Sequence, residues 1–209
     1  MTRRRVNFRF SSAPICGRMC HKENFLKFLD YLESLGYKNS WTVLNARDYG
    51  VPQNRERVFC ISELNGEKKF EFPKPIKLKF KLYDILEENV DERYYLRNGQ
   101  VMDRPIEQEY SYCLDSNYWK GVTLKSFLEK HRRQLVTDKV NEAGQYVPRR
   151  LTPKETWRLM GVSEEDIEKA SLLISRTSLY KQSGNSIVVA VLEAIFQKLF
   201  ADKSYRGVR

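Results

Sequence analysis

Apolar residues settle into a regular pattern over residues 21–35, where Phe25, Leu26, Phe28, Leu29, Leu32 and Leu35 recur at the spacing of one helix face and Gly36 follows as a C-terminal cap. The pattern then changes to a β-favouring apolar run at 41–46, a turn at Asp48-Tyr49-Gly50 with Pro52 behind it, and a second apolar run at 58–61. This predicts a strand, a tight polar loop and a returning strand. Residues 67–80 are charged and broken by Pro73 and Pro75, as in a connector, and 82–88 predicts a short helix. No period is sustained over 92–148. In RRLTPKETWRLMG, Thr152 is a helix N-cap, Pro153 takes the first helical position and Glu155 closes a capping box. Ser163-x-x-Asp166 opens a second short helix in the same way. A Gly-Asn-Ser turn is then expected before a last helix, whose broad face of Ile187, Val188, Val191, Leu192, Ile195, Phe196 and Leu199 must be buried against something large.

Composition narrows the class. A chain of 209 residues with 41% hydrophobic and 12% aromatic residues can build one ordinary domain, or a part-domain and a small one. Its formal charge of +10 and pI near 9.4 point to a polyanionic partner, although ribosomal, RNA-binding and membrane-surface proteins share that balance. No run approaches the roughly 18 apolar residues of a membrane span, and MTRRRVNFRF lacks a signal-peptide core, so a cytoplasmic protein is expected. Cys16, Cys20, Cys60 and Cys113 are too few for a disulfide framework. Cys16-x-x-x-Cys20-His21 could be half of a zinc site, but no second cluster completes four ligands and no metal is expected.

Candidate chemistry lies in two places. In the loop between the predicted strands, Gln53, Arg55 and Arg57 alternate; in extended backbone both guanidiniums would leave one face and form an oxyanion or phosphate clamp. Taken alone, the same Gln-x-Arg-x-Arg also fits an edge strand with ordinary surface arginines. Within 92–148, Tyr94, Tyr95, Tyr110, Tyr112, Tyr118 and Trp119 are interleaved with Lys120, Lys125, Lys130, His131, Arg132 and Arg133. That mixture suits a nucleic-acid surface and equally a small β-rich domain with an aromatic core.

The string LNARDYGVPQNRERVF resembles the glutamine-arginine-arginine motif of the DNA (cytosine-5) methyltransferases. Two later segments resemble that family's last two conserved blocks in the right order: RRLTPKETWRLMG, and YKQSGNSIVVAVLEAIFQKLF. The resemblance covers roughly residues 21–200. It implies an α/β fold, the C-terminal portion of a Rossmann-like methyltransferase sheet with a small, mixed β-rich target-recognition domain. The implied parts are an irregular, non-matching basic arm at 1–20, the end of the catalytic domain at 21–75, and the target-recognition domain at 76–148. Hinge helices and a helix returning to the catalytic domain occupy 149–209.

For the site, the resemblance assigns Arg57 to the O2 of a cytosine flipped out of double-stranded DNA, and Arg55 and Gln53 to the surrounding loop. Gly184, Asn185 and Ser186, with Gln182, would border an S-adenosylmethionine pocket. Arg149, Leu151, Thr152 and Glu155 organise the recognition domain, with Arg149 and Thr152 also among the DNA-binding candidates beside Lys120, Lys125, Arg132 and Arg133. An arginine at O2 makes chemical sense, since thiolate attack at C6 pushes electrons toward N3 and O2.

The sequence also departs from the family. It has no Phe-x-Gly-x-Gly cofactor loop and no cysteine after a proline, Cys16 following Ile15. Glu88-Asn89-Val90 spells the family's base-protonating motif but lies after the arginine loop, and Glu23-Asn24-Phe25 sits within the predicted helix, too close to the loop. The family's glutamate would fall nearer residue 11, and residues 1–20 read as foreign sequence at a natural or frameshifted break. Two expectations follow. Either a complementary N-terminal chain completes an enzyme from this inactive half, or the chain is a non-catalytic DNA-binding module or truncated remnant; without that partner the apolar face of the last helix is expected to drive self-association.

Overall fold

In a computed structural model, which describes residues 6–11, 19–78, 80–97 and 99–201, and side chains from residue 23 onward, the chain divides into two compact units. One comprises the described residues within 1–45, 56–75 and 191–209, the other those within 46–55 and 76–190.

The first unit is built on β3 (Glu56–Leu64), which pairs antiparallel on both sides in the order β1-β3-β2, with β1 (Val6–Ser11) and β2 (Tyr37–Asn45) as neighbours. Phe59, Cys60, Ile61 and Ser62 are consecutive and all buried, as expected of a strand covered on both faces. β1 corrects the expectation of an irregular arm, because residues 6–11 continue the ladder of β3. Arg3, Arg4, Arg5, Cys16 and the side chains of Arg9, Cys20 and His21 lie outside what is described.

Helix α1 (Met19–Ser34) ends at Gly36, whose φ of 84° is the left-handed conformation that glycine adopts without a Cβ penalty. Phe25, Phe28, Leu29 and Leu32 form its covered face, whereas Leu26 and Leu35, assigned by spacing to the same stripe, are exposed. A buried polar group locks α1 to the sheet: the Asn39 amide donates to the Leu29 carbonyl at 3.0 Å, and Ser62 Oγ donates to Asn39 Oδ1 at 2.6 Å. Helix α6 (Val189–Ala201) buries Val191, Ile195 and Leu199, one stripe at four-residue spacing.

The second unit joins a two-stranded sheet to short helices. β4 (Leu135–Val140) and β5 (Tyr146–Arg150) form a hairpin with a bulge between Thr137 and Lys139, and the residue left out of register is Asp138. Helix α2 (Leu124–Leu128) precedes the hairpin, and α3 (Pro153–Arg158), α4 (Glu164–Leu173) and α5 (Arg176–Asn185) follow it. The capping box of Thr152 and Glu155 and the Ser163 cap form as the sequence predicts. The expected Gly-Asn-Ser turn does not. Gly184 and Asn185 are the last residues of α5, and the chain bends at 186–188 instead. The residues predicted as a short helix at 82–88 make a 3-10 turn at Leu82–Ile85. Much of 96–117 is irregular and is held by side chains in place of a ladder: Tyr112 N donates to Gln134 Oε1, and Ile106 N to Thr137 Oγ1, both at 2.8 Å.

Candidate target-base and DNA-binding site

The arginine loop belongs to the second unit and is stitched to it at every level. The Asn54 N–H donates to the Ser111 carbonyl and the Ser111 N–H to the Pro52 carbonyl, both at 2.8 Å. Gln53 is fully buried: Nε2 donates to the Leu159 carbonyl at 2.9 Å, and Oε1 accepts from the Leu114 N–H at 3.3 Å.

Arg55 is 2% exposed, and its guanidinium gathers three backbone carbonyls from two distant segments. Nη1 donates to the Leu114 oxygen at 2.9 Å, while Nη2 donates to Gly184 at 2.9 Å and Ser186 at 2.7 Å. Such a planar fork with several fixed donors is what an ammonium could not supply. Arg57, on β3 in the first unit, is half-buried and donates from Nη1 to the Glu56 carbonyl at 2.7 Å. A clamp of two like-facing forks, which alternation alone suggested, is therefore not what Arg55 makes, because its donors are turned onto backbone.

Gly184 has its own steric reason. A Cβ there would lie 2.5 Å from the carbonyl carbon and oxygen of Asp115. Of the three expected cofactor contacts, Gly184 is buried with its carbonyl held by Arg55, Ser186 is half-buried with its carbonyl also held, and only Asn185 is exposed. These residues do not compose a cofactor pocket by themselves.

The candidate DNA contacts separate into two groups. Lys120, Lys125 and Arg132 are exposed; Lys125 lies 3.9 Å from Glu129, and Arg132 3.7 Å from Asp115. Arg133 also approaches Asp115, at 3.9 Å, and donates to the Gly121 carbonyl at 2.7 Å. Arg149 and Thr152 are corrected. Arg149 is 0% exposed, its fork donating to both Glu155 oxygens at 2.8 Å and its Nε to Asp138, which the β-bulge turns toward it. Burial opposes its charge, but the Glu155 and Asp138 carboxylates outweigh that and hold its pKa above the ordinary arginine value. Thr152 is buried as the α3 cap, accepting from Glu155 N at 3.2 Å and donating to Glu87. Neither can reach a phosphate, and both serve the organising role that the resemblance also implied.

Sequence reasoning missed Leu114, Asp115 and Glu87, whose contributions are mostly backbone or second-partner contacts with no residue-type signal. Tyr118 belongs to the aromatics that fit either a nucleic-acid surface or a β-rich core, and the structure puts it in the core, where Tyr180, which carries no signal in the sequence, joins it. Burial raises the pKa of both, keeping them as donors to the Gln134 carbonyl at 2.5 Å and the Leu151 carbonyl at 2.7 Å. Among the described residues no three His, Cys, Asp or Glu side chains are placed to hold a metal ion.

The model of the C-5 cytosine-specific DNA methylases matches residues 18–201, and the chain belongs to that family. It is 64% identical over 180 residues to the type II methyltransferase M2.ScrFI of Lactococcus lactis subsp. cremoris, covering 86% of this chain and 50% of the relative. To M.DsaV of Dactylococcopsis salina it is 32% identical, covering 81% of this chain and 50% of that protein. The chain thus spans about half the length of the relatives it matches. Among solved structures, the Dnmt2 methyltransferase of S. pombe superimposes with a TM-score of 0.67 at 20% identity, over 88% of this chain and 64% of that one. The fold is accordingly mixed α/β, of the methyltransferase kind. No single described helix is long and apolar enough to cross a membrane.

Proposed function

We propose that this chain is the half of a restriction-modification cytosine-5 DNA methyltransferase that recognises double-stranded DNA and holds the flipped target cytosine. The observation that carries the reading is the Arg55 fork. By binding Leu114, Gly184 and Ser186 it fixes the loop whose strand continues, two residues on, into Arg57. Gln53 stiffens the same loop from within. Arg55 and Gln53 are thus positioning residues, and Arg57 supplies the cation at O2, where negative charge develops once a thiolate has added to C6. Lys120, Lys125, Arg132 and Arg133 contact DNA phosphates.

S-adenosylmethionine is the methyl donor of this reading, and Gln182 and Asn185 are the exposed side chains of this segment that could face it. A complementary chain supplies the nucleophilic cysteine, the proton donor and the glycine-rich cofactor loop, none of which occurs within these 209 residues.

The test uses labelled S-adenosylmethionine and duplex DNA. The purified chain should transfer no methyl groups, and turnover should emerge on adding the half of the Lactococcus relative that this chain does not match. In that reconstituted enzyme Arg57→Ala should lower turnover about a hundredfold to a thousandfold, the usual loss for one such donor, while DNA affinity changes little. If Arg57→Ala loses only affinity, the loop is a phosphate clamp. If no pairing restores turnover, the chain is a DNA-recognition module.

A further inference from the structure

We propose that Trp119, Lys120 and Lys181 form a binding site for backbone phosphates of double-stranded DNA, which extends the DNA-contacting surface from the recognition segment onto α5. This rests on the DNA-binding reading above and adds a residue, Lys181, that lies outside that segment.

Both ammonium groups converge on one ring: Lys120 Nζ lies 5.6 Å and Lys181 Nζ 5.3 Å from the Trp119 ring centre. Both lysines are exposed, and neither pairs with a carboxylate among the described residues. Several other cations of the second unit differ in this respect. Lys125, Lys139, Lys154 and Lys169 each have a carboxylate partner, and Arg132 and Arg133 share Asp115. The face of an indole attracts a cation, but it does not cancel the repulsion between two. Like charges gathered without a counter-charge are completed by an anion, and a phosphodiester is the anion a DNA-binding chain meets.

The convergence is built into the unit rather than left to two flexible side chains. Lys120 stands on the 3-10 turn Tyr118–Lys120, and Lys181 on α5. Gly184 packs directly on the Asp115–Ser116 backbone leading into that turn, the Tyr118 and Tyr180 rings lie 5.6 Å apart, and Arg55 holds Leu114 and Gly184 together. The Trp119 indole N–H is buried with no partner, so its contribution is the ring face and not a hydrogen bond.

The test is a titration of the full chain with a labelled duplex across a salt series. Each phosphate released from its counterions contributes about 0.9 to the slope of log affinity against log salt. Lys181→Ala and Lys120→Ala should each lower that slope by about one, on duplexes of any sequence, and the double variant by about two. Lys181→Arg should keep it, and so should Lys169→Ala, whose ammonium is already paired with Glu165. Trp119→Phe should retain affinity and Trp119→Leu weaken it, with thermal melts showing the fold intact. A steep slope in the parent that the Lys120→Ala, Lys181→Ala double variant leaves unchanged would overturn this site and spare the DNA-binding reading. A parent with no salt-dependent binding would overturn both.

Discussion

Two buried guanidiniums, Arg55 and Arg149, solve the same desolvation problem differently. Arg149 is held by two carboxylates, whereas Arg55 donates to the neutral carbonyls of Leu114, Gly184 and Ser186, whose dipoles share the work of stabilising its charge. Removing the Arg55 fork strands three carbonyls, at roughly 1–3 kcal/mol for each buried group left unsatisfied. Arg55→Ala should therefore lower stability by about 3 kcal/mol or more, read as a drop in denaturant midpoint. Arg55→Lys should recover only part of it, because one ammonium cannot span Leu114 and the Gly184–Ser186 bend with the same geometry. A full recovery in the lysine variant would show that charge and not fork geometry matters. Gly184→Ala tests the opposite side of the same joint. Its Cβ would meet rigid backbone of Asp115 and Ser116, so a loss of about 1–3 kcal/mol is expected although alanine favours helices.

At the scale of elements, the junction of α3 and α4 carries a pH dependence. Glu164, in the first turn of α4, accepts from Arg158 Nε at 2.6 Å and Nη2 at 3.0 Å and lies 2.8 Å from Lys154 Nζ, and these contacts, led by the Arg158 hydrogen bonds, hold its pKa down to about 2. A folded-state pKa below the unfolded one contributes stability above the unfolded value, near 4.5, and that contribution is lost as pH falls toward 2. The side chain is about half exposed, so solvent screening limits the effect to about 0.3–1 kcal/mol. Glu164→Gln should thus melt lower than the parent at pH 7, and the gap should close between pH 4.5 and 2; a gap constant across that range would contradict the assignment.

The elements that the sequence made legible are those with a strong local signal. α1, β2 and β3 follow from periodicity and turn residues, and α3 and α4 from their caps. α5 was hidden because it has no clean apolar stripe and ends in Ser-Gly-Asn, residues that favour turns; tertiary packing of Gly184 and Tyr180 overrides that preference. β1 and the irregular stretch at 96–117 owe their shape to distant partners, β3 and Gln134, that no window along the chain contains. The site was legible as residue types, and less so as roles. Spacing put Arg55 and Arg57 on one face, but only the carbonyls of Leu114, Gly184 and Ser186, far away in sequence, make Arg55 a buried brace. Arg149 looked like one more cation until the Asp138 bulge and Glu155 claimed it.

Over the whole molecule, the sequence points to the α6 face as the surface that needs a large partner, yet its Val191, Ile195 and Leu199 are buried within the chain. Leu172 and Leu173 at the end of α4 are exposed in the second unit, and a larger group of uncovered apolar side chains lies in the first. Trp41 and Val43, two residues apart and hence on one face of β2, are 44% and 39% exposed, and α1 exposes Leu26, Tyr31 and Leu35. Among the described residues β2 is an edge strand of the three-stranded sheet, a position open to further strand pairing, and these apolar side chains lie beside that edge. Grouped exposure of this kind marks an association surface, where scattered single residues would not. The chain alone should therefore self-associate as its concentration rises in sedimentation, despite a formal charge of +10 that opposes it. Trp41→Lys with Val43→Lys should return it to a monomer by placing two like charges on that face. The complementary half should compete, raising the melting temperature while dissolving the self-associated species. A parent chain that stays monomeric at high concentration and melts unchanged with the complementary half would show that this face needs no cover.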